Sequence, residues 1–257
     1  GLFERGARVN VMTPLHISTV IDAFNFETDI RKDVTIGEIA KSNYQLSVQR
    51  YFMPEIKVRN GRPLSELCRV ITRGASLTRE ELHEKRMDVE SGVRCLTIAD
   101  IQDGVIGDTM PFIDGITVNQ QKYLAESGDV VLAKAMAPYK VAVVAAPEGT
   151  RILATANFFI LKVKRDLIDP YFLMAYLCSE AGKMQMEQVA TGTTIRTIVQ
   201  ESLEKMLIPM APMEVQQKFA YDYRQKLEAL ANMRNEYERL KGELDSVYDN
   251  FEREVEF

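Results

Sequence analysis

EVQQKFAYDYRQKLEALANMRNEYERLKGELDSVYDNF (214–251) holds no proline, a single glycine at Gly242, and the clearest periodicity in the chain. Apolar residues fall at Phe219, Tyr223, Leu227, Leu230, Met233, Tyr237, Leu240, Leu244, Val247 and Phe251. From Leu230 the intervals run 3, 4, 3, 4, 3, 4, the heptad seam of a coiled coil. Two consecutive threes around Leu230 overwind it locally. A helix of this length reaches about 60 Å. Its apolar stripe needs a partner helix.

Upstream, LHISTVIDAFNF (15–26) has helical spacing behind Thr13-Pro14, a cap followed by a first-turn proline. Thr35 and Glu38 make a capping-box spacing ahead of a short helix, and Ser42-Asn43 ends it. An extended stretch containing Arg50 and Tyr51 is expected next. Between 53 and 213, short runs rich in Val, Ile and Phe alternate with turns: 94–98, 129–133, 140–146 and 156–163. Tyr171–Leu177 reads as a helix. The expected fold class is α/β: a mixed, twisted-sheet domain with packed helices, a small helical segment before it and a long coiled-coil helix after it. The domain boundaries are 1–52, 53–213 and 214–257.

Composition narrows the function. No run approaches the length of a membrane span and no signal peptide is visible, so no membrane partner is expected. Cys68, Cys95 and Cys178 are odd in number and far apart, which fits free thiols in a reducing cytoplasm. His16 and His83 are the only histidines and stand in no ligand-spaced cluster, so no metal is expected. The formal net charge is −5, and residues 53–213 carry 19 Lys/Arg against 20 Asp/Glu. Any surface for nucleic acid must be a local patch.

VATGTTIRTIV (189–199) crowds hydroxyls, a glycine and one arginine between apolar residues. Gly192 allows close backbone approach, Thr191, Thr193 and Thr194 offer donors, and Arg196 offers a planar fork for a phosphate. The same residues also suit a hydroxyl-rich turn capping a helix that begins near Ile198. Lys134, Tyr139 and Lys140 border a proline-containing loop suited either to backbone contact with an aromatic packing on a base or sugar, or to an ordinary solvated hairpin. Gln102, Asn119, Gln120 and Gln121 are merely eligible as base readers. Asp169-Pro170-Tyr171-Phe172 is similar to the Asn/Asp-Pro-Pro-aromatic motif of adenine-N6 methyltransferases but lacks its second proline; here Asp169 is expected to cap a helix and Pro170 to fill its first turn.

Two stretches resemble known families. GEIAKSNYQLSVQRYF (37–52) is similar to the C-terminal end of type I restriction-modification methyltransferase subunits through Glu38, Ile39, Ala40, Asn43, Leu46, Arg50 and Tyr51. Residues 60–250 resemble one target-recognition domain of the type I DNA specificity subunit with its trailing helix. The matching pieces are RCLTIADIQDGVI (94–106), AESGDVVLAK (125–134), ATANFFILKVK (154–164), DPYFLMAYL (169–177), ATGTTIRTI (190–198) and LIPMAPMEVQQK (207–218). The resemblance implies a recognition domain fused behind a methyltransferase that is mostly absent from this sequence. It places Arg73, Gly74 and Arg94 at or beside DNA-facing loops and raises the DNA-facing reading of 191–196. Specificity subunits usually carry two such domains joined by two antiparallel helices; this chain has one of each. A second copy is therefore expected, paired through Leu230, Met233, Tyr237, Leu240, Leu244, Val247 and Phe251. Implied partners are double-stranded DNA, the methyltransferase part with its S-adenosylmethionine, and a restriction (nuclease/translocase) subunit. No catalytic residue and no cofactor are expected within this fragment. On this reading Arg196→Ala weakens binding to all sequences alike. Three alternatives remain: an assembly module whose middle section binds protein, a small free-standing enzyme, and a different subunit rather than a second copy as the partner half.

Overall fold

Short apolar runs bounded by turn residues pair into two main sheets. Val141–Val143, Val130–Ala133, Phe158–Val163 and Cys68–Arg73 form, in that order, a four-stranded antiparallel sheet. Leu124–Ala125, Arg151–Ala154, Val93–Leu96, Phe112–Ile113 and Arg86–Met87 form a five-stranded sheet in which Arg151–Ala154 and Val93–Leu96 run parallel. The structure, a computed structural model, describes residues 4–5, 10–41, 44, 46, 48–52, 56–87, 93–107, 110–135, 137–147, 149–192 and 195–247. Two units separate, Gly1–Glu55 and Ile56–Phe257.

In the second unit, alternation along the four-stranded sheet sorts its side chains into two of three cores, the third being Ala75, Val93, Cys95, Ile113 and Leu153. Val130, Leu132, Val141, Phe159 and Leu161 pack with Leu173, Met174, Leu177 and Met186 of the helices Pro170–Cys178 and Glu180–Val189. Val131, Ala133, Ala142, Phe158 and Ile160 pack instead with Leu96, Ile152 and Ala154 of the five-stranded sheet. Both faces of the central strands are thus buried, which explains their continuous apolar runs. Asp169 caps the helix Pro170–Cys178, its Oδ1 accepting from the Tyr171 N–H at 2.8 Å and the Phe172 N–H at 3.3 Å. The side chain that resembles a methyltransferase motif is therefore spent on a helix end.

The terminal helix runs Met213–Asp245, about 50 Å for its 33 residues. Its first half lies on its own domain. Buried Gln216 accepts from the Asp169 N–H at 3.0 Å and donates to the carbonyls of Ala211 and Leu167 at 2.8 and 3.2 Å. Phe219 meets Phe172 edge-on at 5.7 Å, Arg224 lies over Tyr171, and Arg234 pairs with Asp103. Beyond that point the apolar side chains face solvent: Met233 is 71% exposed, Tyr237 63% and Leu244 72%. The paired threes at Leu227, Leu230 and Met233 thus fall where the stripe passes from partly buried to exposed. The stripe turns off the body there and becomes open. Its own domain covers part of the stripe that was expected to need a partner helix, as far as Leu227, and Arg234 still reaches Asp103 from beyond it; Phe251 lies outside the described residues.

The first unit contains the helices Pro14–Asn25, Ile36–Lys41 and Val48–Phe52. Thr13 and Thr35 cap the first two as their spacing suggests, with Thr35 N–H donating to Glu38 at 2.8 Å. Val48–Phe52 is helical where an extended stretch was expected; no glycine or proline interrupts it, and Gln49 and Arg50 are good helix formers. Leu15, Ile21 and Phe24 project from the first helix into solvent.

Three buried groups and the half-buried Tyr223 contribute to a pH response. Burial pushes the Cys68 thiol up to about 12 and the Cys95 thiol to about 11, from an ordinary 9.0. Burial likewise raises the Tyr139 and Tyr223 hydroxyls from 10.0 to about 12. Unfolding would release these protons earlier, so their contribution to stability is complete below pH 9 and is lost as pH rises toward 12. Melting temperature followed by circular dichroism should be flat in this respect from pH 7 to about 9 and fall steadily above it.

Candidate nucleic-acid interface

Sequence-distant loops meet at one end of the four-stranded sheet. Arg73 pairs with Phe159, and Ala133 with Phe158, placing the strand ends side by side. The Lys134 N–H then donates to the Asn157 carbonyl at 2.9 Å, and the Ile198 N–H to the Lys134 carbonyl at 2.7 Å. Ala135 bridges Thr197, and the Ala133 N–H reaches the Lys140 carbonyl at 2.7 Å. Arg73, Gly74, Lys134, Tyr139, Lys140, Thr191, Gly192 and Arg196 are therefore gathered by backbone pairing alone. Arg94 stands apart on the five-stranded sheet, its guanidinium 4.8 Å from the Phe112 ring centre.

The side chains divide into two groups. Arg196 turns inward: its guanidinium donates to the carbonyls of Glu187 at 2.5 Å and Ala190 at 3.2 Å, and lies 3.4 Å from the Glu187 carboxylate. It satisfies the C-terminal carbonyls of the helix Glu180–Val189, where a cation also suits the helix dipole. Tyr139 is buried beside this pair, its hydroxyl pushed up by burial and then by the Glu187 charge. Its ring is not presented for stacking. The Lys140 ammonium donates to the carbonyls of Ile98 at 2.8 Å and Ile101 at 2.7 Å, tying the loop to the neighbouring turn. In this arrangement Arg196, Tyr139 and Lys140 build the sheet end rather than extend from it.

Thr191 and Gly192 belong to a two-stranded hairpin, Ala190–Thr191 with Thr197–Ile198. Gly192 has φ +107°, and a Cβ there would collide with the Ile195 carbonyl, so the turn requires glycine. Thr193 and Thr194 lie outside the described residues. The segment does not cap the following helix, Gln200–Glu204, whose cap is Val199 without a side-chain bond. Gly74 is buried where its chain crosses residues 154–155, and a Cβ would press into the carbonyls of Ala154 and Thr155. Gly74→Ala should cost about 3 kcal/mol in a denaturant titration, because both clashing atoms are backbone.

The second group is Arg73 and Lys134. Arg73 is exposed, and its Nε donates to the Ala156 carbonyl at 3.0 Å, the one side-chain hydrogen bond it makes among the described residues. Half-buried Lys134 has its ammonium pKa lowered by burial and then by the positive charge of Arg73. Among the described residues no carboxylate forms an ion pair with either. Two like charges held together in this way favour an anion between them. Asn157 is exposed at the same edge; it sits in a short turn between strands and carries no sequence signal that would single it out. Of the eligible base readers, Gln120 accepts from the Thr117 N–H at 2.9 Å, while Gln102, Asn119 and Gln121 are exposed.

Arg196→Ala leaves Glu187 and two carbonyls without their cation and should cost about 2 kcal/mol of stability. The midpoint of a denaturant titration checks this loss.

Among the described residues no cluster of His, Cys, Asp and Glu is placed to hold a metal, and no helix is long and apolar enough to cross a membrane. The molecule is a mixed α/β protein with several sheets and a long C-terminal helix. No family model and no curated protein matches the sequence. Solved structures do. A chain from a structure of type I R-M system assembly and conformational transition superposes with TM-score 0.52 at 17% identity, covering 92% of this chain and 58% of that one. The type I restriction-modification S subunit from M. genitalium gives 0.49 at 17% identity, covering 74% and 45%. The HsdS subunit from Thermoanaerobacter tengcongensis gives 0.47 at 16% identity, covering 95% and 64%. The first of these shows a shared fold, and this chain spans little more than half the length of its counterpart.

Proposed function

We propose that this chain is the sequence-recognition module of a type I-like restriction-modification methyltransferase, reading one half of a bipartite DNA site and pairing with a second copy through its terminal helix. The observation that carries the reading is the Arg73–Lys134 pair, two cations at the sheet end with no described carboxylate partner. A DNA phosphate supplies the missing anion, and such contacts fix register rather than sequence. The open stripe from Leu230 to Val247 supports the pairing. Two copies so joined hold two identical reading heads at a set separation, which calls for inverted half-sites a fixed distance apart. In this reading the chemistry, and the S-adenosylmethionine, belong to a methyltransferase part for which residues 1–52 supply a C-terminal tail. A restriction subunit is a further partner.

Fluorescence anisotropy with labelled duplexes tests the proposal. Affinity should fall steeply with salt, and a selected sequence should outcompete random DNA. A salt-independent affinity with no sequence preference would favour the alternative, a protein-assembly module. One observation gives that alternative weight: Leu15, Ile21 and Phe24 form an open apolar face on the first helix.

A further inference from the structure

Where the terminal helix leaves the domain, a cavity of about 700 Å³ opens beside it. Met174, Cys178, Leu227 and Leu230 line it, with Lys183 and Lys226 exposed at its rim and Asp103 there already paired with Arg234. Neither rim lysine has a described ion-pair partner. The cavity is continuous with the open stripe, since Leu230 belongs to both.

We infer that the segment 248–257 of a second copy docks here, with the residues after Phe251 entering the cavity. The inference rests on the helix pairing proposed above and adds an occupant and a location. The first half of the stripe is covered by its own domain, so a second helix finds free apolar surface only from Leu230 outward. An antiparallel partner uses that surface without bringing the two domains against each other. Centring such a pair on Leu240 sets Met233 opposite Val247 and Tyr237 opposite Leu244, and brings Phe251 beside Leu230. The residues that follow then run over Leu227 into the cavity.

Composition matches this placement. Segment 248–257, YDNFEREVEF, combines Tyr248, Phe251, Val255 and Phe257 with four carboxylates, Asp249, Glu252, Glu254 and Glu256, against one arginine. Aromatic groups suit the apolar lining, and the carboxylates suit Lys183 and Lys226.

Cys178 is a native reporter in the lining, and the chain contains no tryptophan. Maleimide labelling of Cys178 should be about tenfold slower in the full chain than in a chain ending at Val247, at concentrations where light scattering shows a dimer. Dilution to monomer should abolish the difference. In parallel, Phe251→Trp should show blue-shifted emission in the dimer that moves to the red on dilution. A dimer with equal labelling rates and a solvent-exposed tryptophan would overturn the inference while leaving the helix pairing intact. Protection that survives dilution would overturn it in favour of the chain's own tail. A full chain that is monomeric at every concentration would overturn both the inference and the pairing.

Discussion

Arg73→Glu combined with Lys134→Glu is expected to cut affinity for every duplex by about 100-fold and to lower the slope of log Kobs against log salt by about 2. The size follows from geometry. The two charges sit at neighbouring strand ends, and Lys134 already bears an electrostatic cost from burial and from Arg73. A bound phosphate relieves that cost, and reversal replaces attraction with repulsion. Sequence preference should survive at whatever affinity remains, because phosphate contacts position the protein without reading bases. Arg73 is exposed, so the fold should tolerate its replacement; Lys134→Gln is the milder control at the half-buried position. Equal affinity of the doubly reversed variant and the parent chain would remove this sheet end from the interface.

Leu240→Glu with Leu244→Glu is expected to leave the chain folded and monomeric. Both side chains lie on the open part of the stripe, half or more exposed in the single chain. Their loss should therefore not disturb the domain. In a two-fold pair each substitution counts twice, so four buried leucines are lost. At about 1.5 kcal/mol each this amounts to about 6 kcal/mol, or about 10⁴-fold in the dimer dissociation constant. Light scattering should report half the parental mass. DNA affinity should fall as well, since the second reading head no longer binds at high effective concentration. Unchanged mass would mean that the stripe serves something other than a second copy.

Much of the fold was legible in the sequence because its cues are local. Asp169-Pro170 announces a helix start through side-chain and backbone geometry confined to four residues, and that helix forms as read. The runs at 129–133 and 156–163 are apolar on both faces because both faces of those strands are covered. The break in heptad phase near Leu230 was also visible, although its meaning was not: only the packed domain shows that the stripe leaves its cover there.

The candidate interface was legible as a set of loops and not as a set of contacts. An arginine among threonines looks the same in sequence whether it faces a phosphate or a helix end. Arg196 is committed by Glu187, brought near by the hairpin 190–198, and Lys140 by carbonyls some forty residues upstream. Conversely, Arg73 and Lys134 lie 61 positions apart and become neighbours because both adjoin the strand Phe158–Val163. No local pattern encodes that juxtaposition.

The most direct measurement is selection of the full chain against a randomised duplex pool, followed by sequencing of the bound fraction. The expected result is enrichment of two inverted half-sites at one fixed separation, lost from the Leu240→Glu, Leu244→Glu chain and weakened throughout by Arg73→Glu, Lys134→Glu. Recovery of no common sequence, or of a single half-site bound equally well by the monomeric variant, would contradict it.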